Sequence, residues 1–324
     1  RLSLVGLGDV YKRQAQEFGI RCKEFWNPDV FGYNGQLPQI MRLAGINRFL
    51  TQKLSWNKFT QPMYHTFNWQ GIDGSEVLAH FPPANTYNAV ATVAQLRENV
   101  KNYKEHDRST QSLMLFGYGD GGGGPTRAML ETLKRAGDLQ GLPRTQIRSS
   151  DDFFARLEKD MKDRPLVIGE LYMEGHRGTL TTQAAVKRGN RKSENLLHDV
   201  EFLYAWFDQI VKEDVYPADE IDSLWKIVLL NQFHDILPGS SITQVYTDAS
   251  RHYEVVQNAT TDLRESVLKA FAKVLGEKTK ESAYTPVNTI GFDRREVMRL
   301  PDGSHAMAAA LSYGFGEIIE PEDE

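Results

Sequence analysis

Two aspartates of this sequence stand where predicted strands end in loops. Asp29 lies in Trp26-Asn-Pro-Asp-Val-Phe-Gly-Tyr-Asn, where a proline fixes the backbone just before the carboxylate. Asp120 follows an apolar run and precedes four consecutive glycines. Parallel α/β sheets bind their ligands beyond the carboxyl ends of the strands. The position of both residues therefore indicates ligand binding, whereas the local sequence of Asp29 by itself favours an aspartate that merely shapes its turn.

The glycine run at 121–124 allows the backbone to approach a ligand closely and to adopt positive φ angles. A phosphate-binding loop is one interpretation of such a run. The segment lacks the Gly-Lys-Ser/Thr ending of that loop and the spacing of a dinucleotide fingerprint. A phosphate- or nucleotide-binding enzyme is therefore disfavoured, and Asp120 is the more informative residue here.

A histidine and an aspartate close the most apolar helical segment of the sequence. The run Asn231-Gln-Phe-His-Asp-Ile-Leu-Pro-Gly-Ser places His234 and Asp235 directly before a Pro-Gly break. Imidazole and carboxylate are both zinc ligands, whereas a histidine at a helix end is also a common cap. A zinc site needs further ligands, and the sequence has no His-x-Asp, His-x-x-His or cysteine cluster to supply them.

A further polar segment begins with His176 and Arg177 and continues with hydroxyl side chains in Gly-Thr-Leu-Thr-Thr-Gln. Two interpretations of this segment stand side by side. It forms either a substrate-binding loop or a polar connection between two domains.

The composition narrows the class of protein. With a formal net charge of −5, the sequence has no basic stripe to neutralise phosphates, which argues against nucleic-acid binding. No run of about eighteen apolar residues occurs, so no segment is expected to span a membrane. The single cysteine, Cys22, excludes an internal disulfide and favours a reducing, cytoplasmic location. The sequence leaves a homo-oligomer open.

Between residues 25 and 168, short apolar runs alternate with segments of helical spacing. Helices are predicted at 36–45, 90–103, 126–136 and 150–163, and strands at 46–51, 76–81, 112–118, 146–149 and 166–170. Strands that alternate with helices indicate βαβ units and a parallel sheet, hence an α/β fold. Helical segments at 184–211, 222–232 and 245–275 then predict a three-helix bundle, and strand-like runs follow at 284–290 and 296–300.

Seven segments in order between residues 25 and 248 resemble glycoside hydrolase family 38, in particular its cytosolic or vacuolar-type α-mannosidases. They are Trp26-Asn-Pro-Asp-Val-Phe-Gly-Tyr-Asn-Gly-Gln-Leu-Pro-Gln, Phe49-Leu-Thr-Gln-Lys-Leu-Ser-Trp-Asn, Gly71-Ile-Asp-Gly-Ser, His80-Phe-Pro-Pro-Ala-Asn-Thr-Tyr-Asn, the Gly-Asp-Gly-Gly-Gly-Gly-Pro run, His176-Arg-Gly-Thr-Leu-Thr-Thr-Gln and Asn231-Gln-Phe-His-Asp-Ile-Leu-Pro-Gly-Ser. So many long matches in the family's order make chance a poor explanation.

The resemblance implies roles for residues in these segments. Asp29 matches the family's nucleophile, which also contacts zinc, and His234 matches a zinc ligand. Asp120 aligns with the region of the acid/base, and Asp235 with a substrate-binding neighbour. Four other residues of the matching segments are candidate substrate-binding residues: Trp26, Tyr87, His176 and Arg177.

The resemblance also implies an organisation: a partial seven-stranded α/β barrel at 15–171, a helical middle domain at 172–278 and the truncated start of a β-sandwich domain at 279–324. Residues 1–14 end in Asp9-Val-Tyr-Lys-Arg-Gln, which resembles translated adaptor text from a sequencing library, and they are excluded from the fold prediction. The family's His-x-Asp zinc motif would lie before residue 15 and is missing from this sequence.

The expected activity of the intact protein is retaining hydrolysis of terminal α-mannosides of oligosaccharides. Asp29 would form a covalent glycosyl intermediate, and zinc would hold the 2- and 3-hydroxyls of the sugar. With only part of the zinc shell, the chain as given is expected to be inactive. A non-catalytic carbohydrate-binding chain is the alternative.

Overall fold

The computed structural model describes residues 16–19, 21–119, 121–276, 284–300 and 302–319. The adaptor-like stretch at 1–14 and the candidate acid/base Asp120 lie outside the described residues. The chain divides into two compact units, Arg1–Gly178 and Thr179–Glu324. The three-domain division predicted from the sequence stays a prediction.

A five-stranded sheet of order β1-β2-β4-β3-β5 forms the centre of the first unit. Its strands are β1 Glu24–Trp26, β2 Arg48–Leu50, β3 Thr66–Gln70, β4 Glu76–His80 and β5 Leu166–Ile168. β1 is parallel to β2, β2 to β4 and β3 to β5, whereas β3 and β4 pair in antiparallel fashion. The predicted α/β class is confirmed. The described residues contribute five strands to this sheet, whereas the complete barrel implied by the resemblance has seven.

The antiparallel pair departs from the parallel sheet that the sequence predicted. Strand β3 was missed, because the turn at 71–75 was interpreted as a boundary of β4 and not as the tip of a hairpin. Gly74 adopts a φ of 86°, and the N–H of Gly71 donates to the carbonyl of Ser75 at 2.8 Å. A tight turn of this kind joins antiparallel neighbours, whereas parallel strands need a longer crossover.

The segment at 112–118 is extended but is not a strand of the sheet. Its backbone pairs with Ala89 through one isolated bridge at Phe116, and its side chains are mostly half-buried. The N–H of Leu113 donates to Nε2 of the fully buried His80 at 3.3 Å. The His80 side chain thus takes the place of a backbone carbonyl that a neighbouring strand would offer to this N–H. The strand predicted at 146–149 is wrong: the segment is exposed and irregular, and Ser149 caps the following helix.

Between β1 and β5 in the chain, the described part of the first unit has four helices and a 3₁₀ turn. They are α1 Leu37–Leu43, the 3₁₀ turn Lys53–Trp56, α2 Val93–Asn102, α3 Arg127–Ala136 and α4 Ser150–Asp160. The sequence dictates the start of α2 directly, because Thr92 and Gln95 form a capping box. The core of the sheet is aromatic: the rings of Phe49 and Trp69 lie 4.9 Å apart, and both side chains are fully buried.

The second unit begins with three long helices, α5 Ala184–Val211, α6 Ala218–Asn231 and α7 Thr243–Leu275. Their apolar faces share one core, which includes Leu197, Val228 and Phe271, and the predicted helical bundle is confirmed. An antiparallel sheet of order β6-β9-β8-β7 follows. Its strands are β6 Val287–Asn288, β7 Arg294–Arg299, β8 His305–Ala310 and β9 Gly314–Ile319. In the described ranges, no helix is long and apolar enough to cross a bilayer.

Candidate functional site

Asp29 lies at the edge of the sheet where three neighbouring strands end. Strand β1 ends at Trp26, and the next residue is fixed to β2 by a hydrogen bond from the N–H of Asn27 to the carbonyl of Leu50 at 3.0 Å. Lys53 follows the end of β2, and Tyr87 lies in the loop after β4. Because β1, β2 and β4 are parallel, their carboxyl ends bring these three residues to one edge.

Both carboxylate oxygens of Asp29 have a partner. Oδ1 forms an ion pair with the ammonium group of Lys53, and Oδ2 accepts a hydrogen bond from the Tyr87 hydroxyl at 3.0 Å. The side chain of Asp29 is 47% exposed, whereas that of Lys53 is 6% exposed. The carboxylate is therefore held in one orientation by two loops and yet is open to a solute.

Lys53 is a site residue that the sequence reasoning missed. Its Nζ lies 3.6 Å from the ring centroid of Trp56 and 5.7 Å from that of Phe31, and its backbone N–H donates to Pro28 at 3.0 Å. Aromatic faces stabilise a desolvated ammonium group. The signal was available, since the residue follows a strand end in the same way as Asp29 does.

We expect Asp29→Asn to lower the free energy of unfolding by about 1–3 kcal/mol, because it leaves the buried Lys53 ammonium without a countercharge. Lys53→Met should lower the free energy of unfolding by less than Asp29→Asn does. It removes the buried charge and leaves a half-exposed carboxylate that water can solvate. The double variant should recover most of the Asp29→Asn loss. Urea unfolding of the four proteins measures this cycle, and equal stabilities of Asp29→Asn and the double variant would contradict it.

His176 packs beside the same group of aromatic rings. Its imidazole stacks on Phe31 with ring centroids 4.5 Å apart and an interplanar angle of 10°, and it lies 6.3 Å from the ring of Trp56. Its backbone adopts a φ of 60°, which is uncommon for a residue with a side chain. Arg177 instead donates from Nε to the carbonyl of Glu174 at 3.1 Å. The half-exposed Trp26 lies at the end of β1.

The loop that carries Lys53 and Trp56 is fixed by Glu174. The Glu174 carboxylate accepts hydrogen bonds from three consecutive backbone N–H groups, those of Lys58 at 2.7 Å, Phe59 at 2.9 Å and Thr60 at 2.5 Å. The N–H of Phe59 chiefly, with the other donors, lowers the pKa of Glu174 to about 2. This contact holds the loop after β2 against the segment that leads to His176.

The Glu174 contact should make stability depend on pH in the acid range. Its pKa in the folded protein is about 2, below the usual 4.5, so this contribution is complete above about pH 5 and is lost as the pH falls towards 2. Glu174→Gln should remove that part of the pH dependence and speed amide exchange at 58–60. Glu98→Gln, at an exposed position of α2, is the matched control. Equal acid unfolding curves for wild type and Glu174→Gln would contradict the expectation.

In the second unit, His234 and Asp235 lie in the turn that follows α6. Nε2 of His234 is 3.4 Å from Oδ2 of Asp235, whose Oδ1 accepts a hydrogen bond from the Ser240 hydroxyl at 2.9 Å. The two side chains are 73% and 57% exposed. The structure thus brings His234 and Asp235 together and leaves both open to a ligand.

The two polar residues before Phe233 point into the bundle. Gln232 donates from Nε2 to Asn190 and to Glu194, at 3.0 Å in each case, and both acceptors are buried on α5. Asn231, which is 2% exposed, donates to the carbonyl of Ile227 at 2.8 Å. These contacts fix the turn that presents His234. The sequence pattern did not predict this anchoring role of Asn231 and Gln232.

The described residues do not make up a complete zinc site. Structural and catalytic zinc ions take about four ligands, of which three or more come from the protein. Across the described ranges, no group of three or more His, Cys, Asp or Glu side chains could hold a metal ion. The partners of Asp29 are an ammonium group and a phenol, neither of which is a usual zinc ligand. That Asp29 and His234 share one ion stays a prediction.

The sequence matches two family models along most of its length. Residues 9–173 match the glycosyl hydrolases family 38 N-terminal domain, and residues 174–271 match the alpha mannosidase middle domain. Among solved structures, an alpha-mannosidase from Enterococcus faecalis V583 superposes with a TM-score of 0.73 at 20% identity, over 94% of this chain and 36% of that chain.

Curated relatives extend the comparison. Alpha-mannosidase 2C1 of Homo sapiens is 45% identical over 94% of this chain and 30% of its own length. Alpha-mannosidase G of Dictyostelium discoideum is 46% identical over 74% of the chain, and the alpha-mannosidase of Saccharomyces cerevisiae is 44% identical over 71%; each match covers 22% of the relative. The chain thus spans less than a third of these relatives. Because one family model covers the α/β unit and a second covers the helical bundle, the chain belongs to glycosyl hydrolase family 38.

Proposed function

We propose that this chain is part of a longer protein, the parent, that hydrolyses terminal α-mannosides of oligosaccharides with retention of anomeric configuration. The observation that carries the proposal is the Asp29 carboxylate, which two loops hold at the carboxyl edge of the sheet and which remains about half exposed. Membership of family 38 supplies the class of reaction.

In this proposal Asp29 is the nucleophile. One of its oxygens attacks the anomeric carbon and forms an ester bond, while an acid, for which Asp120 is the candidate, gives its proton to the departing oxygen. Water then attacks the same carbon and returns a proton to that acid, which releases mannose and restores Asp29. Retaining enzymes need these two carboxyl groups about 5–5.5 Å apart.

Lys53 and Tyr87 are positioning residues in this scheme. Each fixes one carboxylate oxygen of Asp29, so little orientational freedom is lost when the sugar arrives. Around them, Trp26, His176 and the phenol of Tyr87 offer ring surfaces and polar atoms for the sugar. Arg177 and Asp235 complete the proposed substrate-binding set.

Zinc is the proposed metal of the parent, with Asp29 and His234 among its ligands and the others supplied from outside this chain. It would hold the axial 2-hydroxyl of mannose and the neighbouring 3-hydroxyl.

We also propose a cytoplasmic location for the parent, on the strength of the single cysteine. A non-catalytic carbohydrate-binding role remains the second candidate for the chain as given, because its described residues lack a metal-binding group of three.

The stereochemistry of the first product tests the proposal. We expect the parent to release α-mannose first from an aryl α-mannoside, because two inversions at the anomeric carbon restore its configuration. Proton NMR of the anomeric signals during the first minutes distinguishes the two anomers before they equilibrate. If β-mannose is formed first, the reaction is a single displacement by water, and Asp29 is not the nucleophile.

A further inference from the structure

A cavity of about 230 Å³ lies in the first unit. Asp29, Lys53 and Tyr87 are not among its lining residues. Its wall comes from the loops after β2, α2 and β4 and from the segment before β3, and includes Gln52, His65, Phe81, Asn85, Asn102 and Lys104. The volume far exceeds the roughly 30 Å³ of one water molecule and lies below the roughly 300 Å³ of pockets for drug-sized ligands. It suits one small molecule or one ring of a larger one.

Two side chains of this wall carry buried polar atoms without a hydrogen-bond partner: Oε1 of Gln52 and Nδ1 of His65. The residues are 1% and 8% exposed. Nε2 of Gln52 already donates to the Ser55 hydroxyl, so its amide is satisfied at one end. Buried polar atoms in folded proteins are nearly always paired, and an unpaired one is costly. Both residues belong to the lining of this one cavity.

The chemistry of these atoms favours a neutral hydroxyl group. Burial chiefly, and secondarily the charge of Lys104, lowers the pKa of His65 to about 4, so its imidazole is neutral at pH 7. The two ends of the Gln52 amide and the two imidazole tautomers are interchangeable in this structure. A hydroxyl both donates and accepts, so it can satisfy either arrangement.

An anion fits less well, because an ionised carboxylate offers acceptors and no donors. Lys104 is the lining residue that would balance the charge of a bound anion. Its ammonium group already donates a hydrogen bond to the carbonyl of Pro62. Phe81 and two prolines, Pro62 and Pro82, supply apolar wall that the C–H face of a sugar ring can cover.

We propose that this cavity is a second carbohydrate subsite, which binds the hydroxyls of one sugar ring through Gln52 and His65. A turn about the last side-chain torsion, which is soft in both residue types, brings the unpaired atoms to the ligand. The subsite is connected to Asp29 along the chain, because Gln52 precedes Lys53 and Asn85 stands two residues before Tyr87. The choice of a mannoside as the probe rests on the function proposed above.

Saturation-transfer NMR and titration with methyl α-mannopyranoside test the proposal on the full chain. We expect saturable binding in the millimolar range, weakened about tenfold by His65→Phe and by Gln52→Leu, each of which removes a hydrogen-bonding group. His106→Phe, at an exposed position of the same unit, is the matched control and should bind as the wild type does. Thermal unfolding shows which variants remain folded, and either cavity variant suffices for the comparison.

Three results would overturn the subsite. Wild type without saturable mannoside binding would mean that water fills the cavity. Binding that Asp29→Asn abolishes and that His65→Phe and Gln52→Leu leave unchanged would place the sugar at Asp29. Inorganic phosphate bound instead of the mannoside, and lost in Lys104→Gln, would show an anion site. A parent without hydrolytic activity would refute the proposed function, whereas mannoside binding lost in His65→Phe would still support the subsite.

Discussion

Asp29→Asn in the intact parent is expected to lower kcat on an aryl α-mannoside by a factor on the order of 10³ or more, with a much smaller change in KM. The amide nitrogen and oxygen can still contact the sugar, but the amide is too weak a nucleophile to form the glycosyl ester. Loss of a residue that acts in the chemical step appears in kcat, whereas loss of uniform binding appears in KM. Steady-state kinetics of the purified variant therefore separates the two roles.

Two controls make this result specific to the carboxylate. Tyr87→Phe removes the hydrogen bond to Oδ2 and leaves the carboxylate in place, so we expect a loss of about tenfold only. The stability cost expected for Asp29→Asn is checked by its thermal unfolding, since the variant must be folded when it is assayed. Unchanged turnover in folded Asp29→Asn would mean that another residue is the nucleophile.

The position of Asp29 at the carboxyl edge of the sheet could be predicted from the sequence. Parallel α/β sheets bind their ligands in the loops after the strands, and the order of strand and loop along the chain is enough to apply that rule. The proline directly before the aspartate was sufficient to put the residue in a loop at a strand end. The partners of the carboxylate were less accessible. Tyr87 entered as a member of a matching segment, and Lys53 was missed because a lone lysine between Gln52 and Leu54 resembles a solvated surface residue.

The missed strand β3 and the wrongly predicted strand at 112–118 share one physical cause. Strand β3, Thr66–Gln70, forms because a tight turn at Gly74 brings the following strand, β4, back alongside it. The run at 112–118 has the apolar pattern of a strand, yet its Leu113 N–H is satisfied by the buried ring of His80. Both outcomes depend on which neighbour the backbone meets in space. The helices α5 and α7 were predicted well because their pattern is local and long.

The buried polar atoms around Gln52 and His65 could not be anticipated from the sequence either. Neither residue stands in a recognisable ligand motif, and composition gives no measure of whether an amide or imidazole will find a partner. Pairing is decided by the loops after β2 and β4, which approach the segment before β3 only in the folded unit. A site formed by loops that meet only in the folded unit can be seen in the structure but cannot be predicted from the sequence pattern.

The chain as given is expected to hold less than about 0.1 zinc per molecule after dialysis and to release no aryl group from an α-mannoside. A zinc shell needs about four ligands, and the described residues contain no group of three candidates. In the first unit, Asp29 faces an ammonium group, which would have to be displaced or rearranged before a cation could approach that oxygen. Zinc binds tightly only where several ligands are assembled, and each missing one removes a strong contact.

Metal analysis of the full chain after dialysis against zinc, with an aryl α-mannoside assay of the same sample, measures both expectations. The parent is the positive control: it should retain about one zinc per chain, and His234→Ala should reduce that content in the parent while changing nothing in the chain as given. The comparison isolates the contribution of His234 from unspecific binding at exposed histidines. Stoichiometric zinc together with turnover in the chain as given would show that its own residues complete the site, and the proposal of ligands from outside the chain would then be wrong.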